Sequence, residues 1–398
     1  MFNPADKIQD LQYFGEFGGV NPSISDSSTY TFLSAKTMFD TFEGNADGCY
    51  LYSRHSSPSN LYLSQALAAM ENTESANVTA SGMGAITATI MQLCKGGGHV
   101  VSSRTIYGGT YAFLKNLLPQ FGSHTTFVDI TKMEAIEQAV TSKTKIIYLE
   151  SVSNPLLEVA DIKKIADFAH SRGLKLVVDN TFSPLSVTPK NLGADVVIHS
   201  LTKYINGSSD TVGGVICSTL DFINELKDVN SGACMLLGST MDSFRSASIL
   251  KNLRTLHLRM KQHSVNAQYL AEKFEQAGIK TVYPGLKSHP SHELFKQMWN
   301  EEYGFGGMLT IDAGSLEKAN ALMELMQNRN LGYLAVSLGF YKTLFSAPGT
   351  STSSEIPADE QLEMGLSDGL IRFSSGLDND IERTYQEMLK CIKEIGVI

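Results

Sequence analysis

Short apolar runs recur along the first 220 residues and predict a series of buried strands. The clearest runs are rich in β-branched residues: HVVSS, TTFVDI, TKIIYLE, LKLVVDN, ADVVIHS and GGVICS. Helical patterns such as DIKKIADFAHSRG lie between several of them. Near-continuous apolar strands joined by helical crossovers are typical of parallel sheets that are buried on both faces. The pattern therefore predicts an α/β fold with a mostly parallel central sheet flanked by helices.

The pattern changes at two points and divides the chain into three predicted regions. Residues 1–58 are polar and aromatic without sustained helical periodicity, which predicts an extended arm. Residues 59–245 begin with the helical stretch NLYLSQALAAMENT and carry the alternating strands and helices. Residues 246–398 begin with a long helical segment, SASILKNLRTLHLRMKQHSVNAQYLAEKFEQAG, and continue with shorter strands such as GGMLTIDAG. This last region predicts a smaller α+β domain.

Composition and charge narrow the classes of partner. The chain has 398 residues, of which 42% are hydrophobic, and a formal net charge of −9. A net negative charge provides no overall basic field for nucleic acid or for an anionic membrane surface. The five cysteines are scattered without a C-x-x-C pair, as expected of free thiols in a reducing compartment. Asp6, Asp10 and Glu16 lie near the start of the chain, where a signal peptide would need basic residues followed by an apolar core, so we expect a cytoplasmic protein. The partner that we expect is a small molecule.

Chemically distinctive residues stand at the ends of four predicted strands. Lys203 follows ADVVIHS, Asp179 ends LKLVVDN, Tyr107 follows HVVSS, and Gly82 and Met83 begin a helix after SANVTA. Ligands in parallel sheets bind at the carboxyl ends of the strands, so we expect these residues to converge.

These residue types together fit one cofactor. The free N–H groups at a helix start suit an anion such as a phosphate, and the hydroxyls of Ser200 and Thr202 could add donors to it. A buried Asp179 carboxylate requires a cation, which a protonated ring nitrogen would supply. An amine at Lys203 can bind an aldehyde covalently. The set therefore predicts pyridoxal 5′-phosphate held as a Schiff base on Lys203, with Tyr107 stacked on its ring.

Simpler interpretations of each residue remain open at this stage. Lys203 could be a solvated turn lysine, and Asp179 could close a strand. Ser81 and Gly82 could form an ordinary helix cap, and Tyr107 could be a loop aromatic. The cofactor interpretation depends on the order of the residues and on the sheet edge that they share. Signatures of P-loops, nucleophile elbows, zinc proteases and dinucleotide-binding loops are missing.

Ordered blocks over nearly the whole chain resemble the Cys/Met-metabolism family of pyridoxal-phosphate enzymes. The blocks are YSRHSSPSN, SGMGAI, YGGTYAFL, ESVSNP, VVDNTF, HSLTKYINGSSD, SHPSHELF, AVSLG and LIRFSSGL. The resemblance implies the fold-type-I transferase architecture of pyridoxal-phosphate enzymes. It also implies that Lys203 is the Schiff-base lysine, that Asp179 pairs with the pyridinium, and that Gly82, Met83, Ser200 and Thr202 contact the phosphate.

The resemblance implies further roles that strand ends do not suggest. Tyr52 and Arg54 would reach the phosphate of a neighbouring subunit, within a homotetramer built from two active dimers. Arg372 would bind the substrate α-carboxylate with help from Asn154 and Ser337, although a surface salt bridge is the commoner fate of an arginine.

The implied chemistry is γ-elimination from a sulfur amino acid, in which Lys203 moves protons and Tyr107 protonates the departing group. Within the family, several blocks are most similar to the plant-type methionine gamma-lyases, whose products would be methanethiol, 2-oxobutanoate and ammonia. Cystathionine or homocysteine lyase and O-acetylhomoserine sulfhydrylase are the alternative activities. A catalytically silent binding scaffold is the alternative outside enzymes.

The chain departs from the family pattern in two places. The YSR block usually continues with N-P-T, where this chain has Ser57-Pro58-Ser59. Bacterial methionine lyases typically carry a cysteine near the active-site tyrosine, where this chain has Gly109. His289 and His292 in KSHPSH have no acidic or cysteine partner at ligand spacing, so we expect a loop role and no metal site.

Overall fold

A computed structural model describes residues 2–46 and 48–398 of the chain. A seven-stranded sheet forms its centre, with the order β1-β7-β6-β5-β4-β2-β3. The five strands β2 to β6 run parallel to one another, whereas β7 pairs antiparallel with both β1 and β6. Their bounds are β1 Ser75–Thr79, β2 His99–Ser103, β3 His124–Val128, β4 Thr144–Glu150, β5 Lys175–Asp179, β6 Val196–Ser200 and β7 Gly214–Ser218. The prediction of a mostly parallel sheet is confirmed.

Helices cover both faces of this sheet, because successive strand residues point to opposite sides. Val178 of β5 and Val197 of β6 share one apolar core with α3 and α7, whereas Val177 and Ile198 share another with α4. The helices up to this point are α1 Pro4–Gln9, α2 Ala35–Phe42, α3 Pro58–Glu71, α4 Gly82–Leu93, α5 Gly108–Ala112, α6 Met133–Ala139, α7 Ile162–Ser171, α8 Leu220–Lys227 and α9 Ala233–Leu237. The apolar strand runs are thus buried between two helical layers.

A second sheet of five strands follows in the order β10-β11-β12-β9-β8. It is antiparallel except for the pairing of β10 with β11. Its strands are β8 Thr281–Val282, β9 Met308–Asp312, β10 Tyr333–Leu334, β11 Leu344–Ser346 and β12 Leu370–Ser374. The remaining helices are α10 Ser243–Leu253, α11 Leu256–Gln276, α12 His292–Met298, α13 Leu316–Asn328, α14 Ala358–Glu363 and α15 Ile381–Glu394. This sheet shares a separate apolar core with α11, α13 and α15.

Two sequence predictions differ from the structure in detail. The predicted long helical segment is two helices, because α10 packs on α3 while α11 packs on α15 and β9. The predicted extended arm contains the short helices α1 and α2, which begin after the side-chain caps Asn3 and Ser34. No helix within the described residues combines the length and apolar character needed to cross a membrane.

Candidate active site

A cavity of about 240 Å³ lies where the carboxyl ends of the parallel strands meet the start of α4. Its size suits one small molecule. Glycine, hydroxyl, carboxyl, amine and guanidinium groups from both sheets line it. The residues predicted from the sequence that line it are Gly82, Met83, Tyr107, Asn154, Asp179, Ser200, Thr202, Lys203 and Arg372.

Lys203 lies in the loop between β6 and β7 and presents its amine to this cavity. Its Nζ donates a hydrogen bond to the hydroxyl of Ser337 at 3.2 Å. Burial, followed by the positive charge of Arg372, lowers the pKa of Lys203 to about 8. A large share of this amine is therefore neutral, and so nucleophilic, at mildly alkaline pH.

Asp179 ends β5 on the face of the sheet that carries α4. The residue is 7% exposed, and its carboxyl accepts the backbone N–H of Thr181 at 3.0 Å. Burial raises the pKa of Asp179. It forms no salt bridge with a cation from residues 2–46 or 48–398. A cationic ligand group would relieve this cost of burial.

The start of α4 forms another part of the cavity wall, next to Ser200. Ser81 is the N-cap, and its hydroxyl accepts the N–H of Gly84 at 3.0 Å. The N–H groups of Gly82 and Met83 have no intrahelical acceptor and so remain available to an anion. A Cβ atom at position 82 would lie 2.8 Å from Cβ of Ser200, so this close approach requires glycine. The hydroxyl of Thr202 is engaged with the backbone of Gly213, at 3.1 Å from its N–H.

Arg372 in β12 brings a cation into the cavity from the second sheet. It is 3% exposed, and its Nη1 donates to the amide oxygen of Asn154 at 2.8 Å. Burial lowers the pKa of Arg372 to about 10, so the guanidinium is still charged at neutral pH. The alternative interpretation of a surface salt bridge is wrong for this arginine, which is buried and lines the cavity.

Tyr107 lies between the cavity and solvent, with 41% of its surface exposed. Burial, followed by the charges of Glu355 and Glu150, raises the pKa of its phenol. The neutral hydroxyl is thus retained and can donate a proton.

Tyr52 and Arg54 do not line this cavity in the chain itself. Arg54 donates from Nη1 to the carbonyl of Met235 at 3.0 Å, and its guanidinium lies 5.6 Å from the centre of the Tyr52 ring. Their predicted contact with a neighbouring subunit stays a prediction. The Ser57-Pro58-Ser59 departure keeps a capped helix start, because the Ser57 hydroxyl accepts the N–H of Asn60.

Several cavity residues were missed in the sequence. They are Ile86, Glu150, Val152, Thr181, Phe182, Val212, Val336, Leu338 and Thr352. Glu150 ends the predicted strand TKIIYLE just as Asp179 ends LKLVVDN, so the strand-end rule could have found it. The apolar members and Thr352 carry no distinctive signal in sequence. His289 and His292 bond to the carbonyls of Leu157 and Pro284, within the part of the chain that the structure describes.

The residues present fit pyridoxal phosphate. A buried carboxyl without a cation suits the pyridinium, the N–H groups at the start of α4 suit the phosphate, and the Lys203 amine suits the aldehyde. All three groups line one cavity. The same cavity is lined by the Arg372 guanidinium, which suits a substrate carboxylate.

Comparison with known proteins agrees with this fit. Residues 7–389 match the family model described as Cys/Met metabolism PLP-dependent enzyme. A methionine gamma-lyase of Arabidopsis thaliana is 44% identical over 98% of this chain and 90% of its own length. A cystathionine gamma-lyase of Dictyostelium discoideum is 39% identical, with 94% of each chain covered. 

A crystal structure from Campylobacter jejuni that contains N′-pyridoxyl-lysine-5′-monophosphate superposes with a TM-score of 0.90. The two chains are 28% identical, and the match covers 98% of this chain and 100% of the other. Cofactor, fold and family model therefore agree. The chain belongs to the Cys/Met-metabolism family of pyridoxal-phosphate-dependent enzymes, whose compared relatives include carbon–sulfur lyases.

Proposed function

We propose that the protein catalyses γ-elimination of L-methionine, which with one water yields methanethiol, 2-oxobutanoate and ammonia. The observation that carries the proposal is the placement of Lys203, Tyr107 and the Arg372–Asn154 pair around one cavity. These groups can bind an α-carboxylate, move a proton at carbon and protonate a departing sulfur. The 44% identity to a methionine gamma-lyase supports methionine as the substrate.

Each residue has a distinct task in this reaction. When bound, the cofactor supplies an electron-withdrawing ring that makes the protons of the amino acid acidic. Arg372 and Asn154 hold the α-carboxylate, Lys203 removes the α-proton with its neutral amine, and Tyr107 donates a proton to sulfur. The negative charge of the Asp179 carboxylate would favour the protonated form of the cofactor's ring nitrogen.

A second candidate is lysis of cystathionine or homocysteine, or sulfhydrylation of O-acetylhomoserine. The 39% identity to a cystathionine gamma-lyase supports the first of these. All of these substrates share the amino-acid end that Arg372 and Asn154 would bind, and they differ in the group beyond Tyr107.

A substrate panel tests the choice. The purified holoenzyme is incubated with methionine, cystathionine, homocysteine, and O-acetylhomoserine plus sulfide, and 2-oxobutanoate, methanethiol and homocysteine are measured. We expect methanethiol from methionine at the highest kcat/KM. The Lys203→Ala variant should lose both activity and the borohydride-reducible chromophore. A higher kcat/KM for cystathionine with no methanethiol would replace the proposal with its alternative.

We also propose that the enzyme is a cytoplasmic homotetramer in which Tyr52 and Arg54 complete the site of a neighbouring subunit. Within each subunit, we propose that residues 1–58 form an arm, residues 59–245 the cofactor-binding domain and residues 246–398 the C-terminal domain. Support comes from the arm, where Phe14, Phe17 and Leu33 are at least 86% exposed in the single chain. Large apolar side chains at that exposure are typical of a surface that a partner covers.

Subunit mixing tests the shared site. Lys203→Ala and Arg54→Ala are each expected to be inactive alone. In a mixed dimer, one site combines the intact Lys203 with the intact Arg54 of the other subunit, so activity should return after the two variants are unfolded and refolded together. No recovery would show that each chain builds its own site.

A further inference from the structure

Glu150 is a buried carboxyl at the end of β4 to which the proposed chemistry assigns no task. It is 7% exposed and borders the cavity. Its strand register places it directly beside Asp179 of β5. A second carboxyl in a small buried site destabilises the folded state unless hydrogen bonds compensate for its loss of solvation.

Both carboxyl oxygens of Glu150 accept backbone N–H groups from cavity loops. Oε1 accepts the N–H of Tyr107 at 2.8 Å, and Oε2 accepts the N–H of Asn154 at 2.8 Å. One side chain thus joins the loop after β2 to the loop after β4. Tyr107 is 43 residues from Glu150 in sequence and Asn154 is 4 residues from it. The carboxyl therefore links a loop that is distant in sequence to the loop that follows its own strand.

The two loops carry the two ends of the proposed substrate site. Tyr107 would face the sulfur, and Asn154 bonds through its side chain to Arg372, which would face the α-carboxylate. Any change in the Glu150 carboxyl would therefore shift both ends relative to each other.

The geometry of Glu150, and not its charge, marks it as a fixed acceptor. Burial, followed by the charge of Asp179, raises the pKa of Glu150 to about 8, while the two N–H donors and Arg372 act in the opposite direction. Because both oxygens already accept backbone donors, the carboxyl is poorly placed to exchange protons with a substrate. Its contacts favour a structural link over acid–base work.

We propose that Glu150 is a positioning residue that sets the alignment of Tyr107 with the Asn154–Arg372 pair. This inference rests on the proposed function, because it assigns the two ends of the site from the γ-elimination reaction. The ligand would be an amino acid with a γ-sulfur. Glu150 would fix the separation between the groups that bind its carboxylate and the group that faces its sulfur.

The first test is Glu150→Gln, which keeps the shape but turns one acceptor oxygen into an N–H donor that faces a backbone N–H. Hydrogen exchange, measured by mass spectrometry on the holoenzyme without substrate, should speed up in peptides that contain Tyr107 or Asn154. The spectrum of the bound cofactor and the Tm should stay within error of the unmodified enzyme. For methionine, KM should rise and kcat should fall, with kcat/KM lower by about 10²-fold, the scale expected of a small misplacement.

Glu158→Gln is the matched control, because the Glu158 side chain bonds to the hydroxyl of Thr105, in the same loop as Tyr107, but to neither of the two N–H groups that Glu150 holds. It should leave the exchange of the Tyr107 and Asn154 amides and the KM-to-kcat split unchanged. Glu150→Asp is the second variant, since it keeps the charge but is one methylene too short to bond both loops. It should recover part of the kcat/KM lost in Glu150→Gln.

A double-mutant cycle with Tyr107→Phe separates positioning from an independent role. If Glu150 acts through Tyr107, the combined loss in kcat/KM is smaller than the product of the two single losses. Multiplicative losses, or unchanged exchange in both loops of Glu150→Gln, would overturn the inference. The exchange experiment uses no substrate, so it stands even if the substrate panel replaces methionine, and the kinetics are then measured with the substrate that the panel identifies.

Discussion

Polar groups lie at the ends of β5 and β6 on both faces of the sheet. Those on one face border the cavity, whereas those on the other are hydrogen-bonded to one another in the interior. On the α4 face, Asp179 and Ser200 border an open cavity. On the α3 face, the residues adjacent to these in the chain, Asn180 and His199, lie in a closed cluster with Glu71. The same pair of strands thus supplies a binding site on one side and a sealed network on the other.

The closed cluster finds most of its partners within the chain. Glu71 is 1% exposed, and its Oε1 contacts Nε2 of His199 at 2.7 Å and the amide nitrogen of Asn180 at 3.3 Å. The hydroxyl of Ser151 donates to the other side of that amide at 2.7 Å. Asp179, by contrast, forms no salt bridge within the described residues. A buried carboxyl without a salt-bridge partner indicates a ligand, whereas one that is paired with a histidine indicates a structural role.

The largest effect that separates the two faces is expected for Asp179→Asn. Loss of the carboxylate removes the charge that holds a proton on the cofactor ring, and we expect kcat/KM to fall by about 10³-fold, as for other preorganised electrostatic groups. The Tm of the cofactor-free protein should stay level or rise, because the variant removes a buried carboxyl whose raised pKa marks an unfavourable charge. Kinetics and thermal unfolding measure the two effects. A large loss of Tm with little loss of activity would make this face structural as well.

Glu71→Ala should give the reverse pattern. Removal of one member of the buried Glu71–His199 pair leaves the other without its partner, and we expect the free energy of unfolding to fall by about 3 kcal/mol. Activity per folded site should change by less than about tenfold, since Glu71 borders no part of the cavity. Denaturant unfolding measures the loss, and Glu137→Ala, an exposed acid on α6, is the control. Equal stability of the two variants would contradict a structural role for the cluster.

The open face should also respond to pH through Lys203. Its folded pKa of about 8 lies below the ordinary lysine value, so the neutral amine dominates above pH 8 and the charged amine below. The rate at which cofactor-free protein forms its chromophore with added pyridoxal phosphate should therefore rise between pH 7 and 9 and then level. Arg372→Met should move the midpoint upward, because Arg372 contributes to the lowering. A midpoint near the ordinary lysine pKa in the unmodified protein would show that the site does not perturb the amine.

Much of this comparison could be predicted from sequence, and the physical reason is periodicity. Apolar strand runs and helical patterns gave the central sheet, and the rule that ligands bind at strand ends brought Lys203, Asp179, Tyr107 and Gly82 together. Because consecutive residues of an extended chain point to opposite faces of a sheet, Asp179 and Asn180 were expected to face opposite sides. Arg372 lies in the second sheet and was found only through the family resemblance.

Other features depend on contacts that sequence does not display. The split of the long helix into α10 and α11 follows from two different packing partners. The link from Glu150 to Tyr107 joins backbone and side chain across 43 residues, and no pattern marks it. Whether a strand-end acid is paired inside the chain or left for a ligand was likewise visible only in three dimensions.

The smallest effect is expected at Gly109, which lies against the Tyr107 ring. A Cβ atom at position 109 would lie 2.6 Å from a ring carbon of Tyr107, so Gly109→Ala must displace that ring. We expect kcat/KM to fall by about tenfold, which corresponds to about 1.4 kcal/mol, while alanine within α5 leaves stability unchanged or slightly higher. Steady-state kinetics with methionine measure the loss. In a Tyr107→Phe background the same substitution should cost little more, because the hydroxyl whose position matters is already gone. A full tenfold loss in that background would show that position 109 acts on the substrate directly and not through the tyrosine.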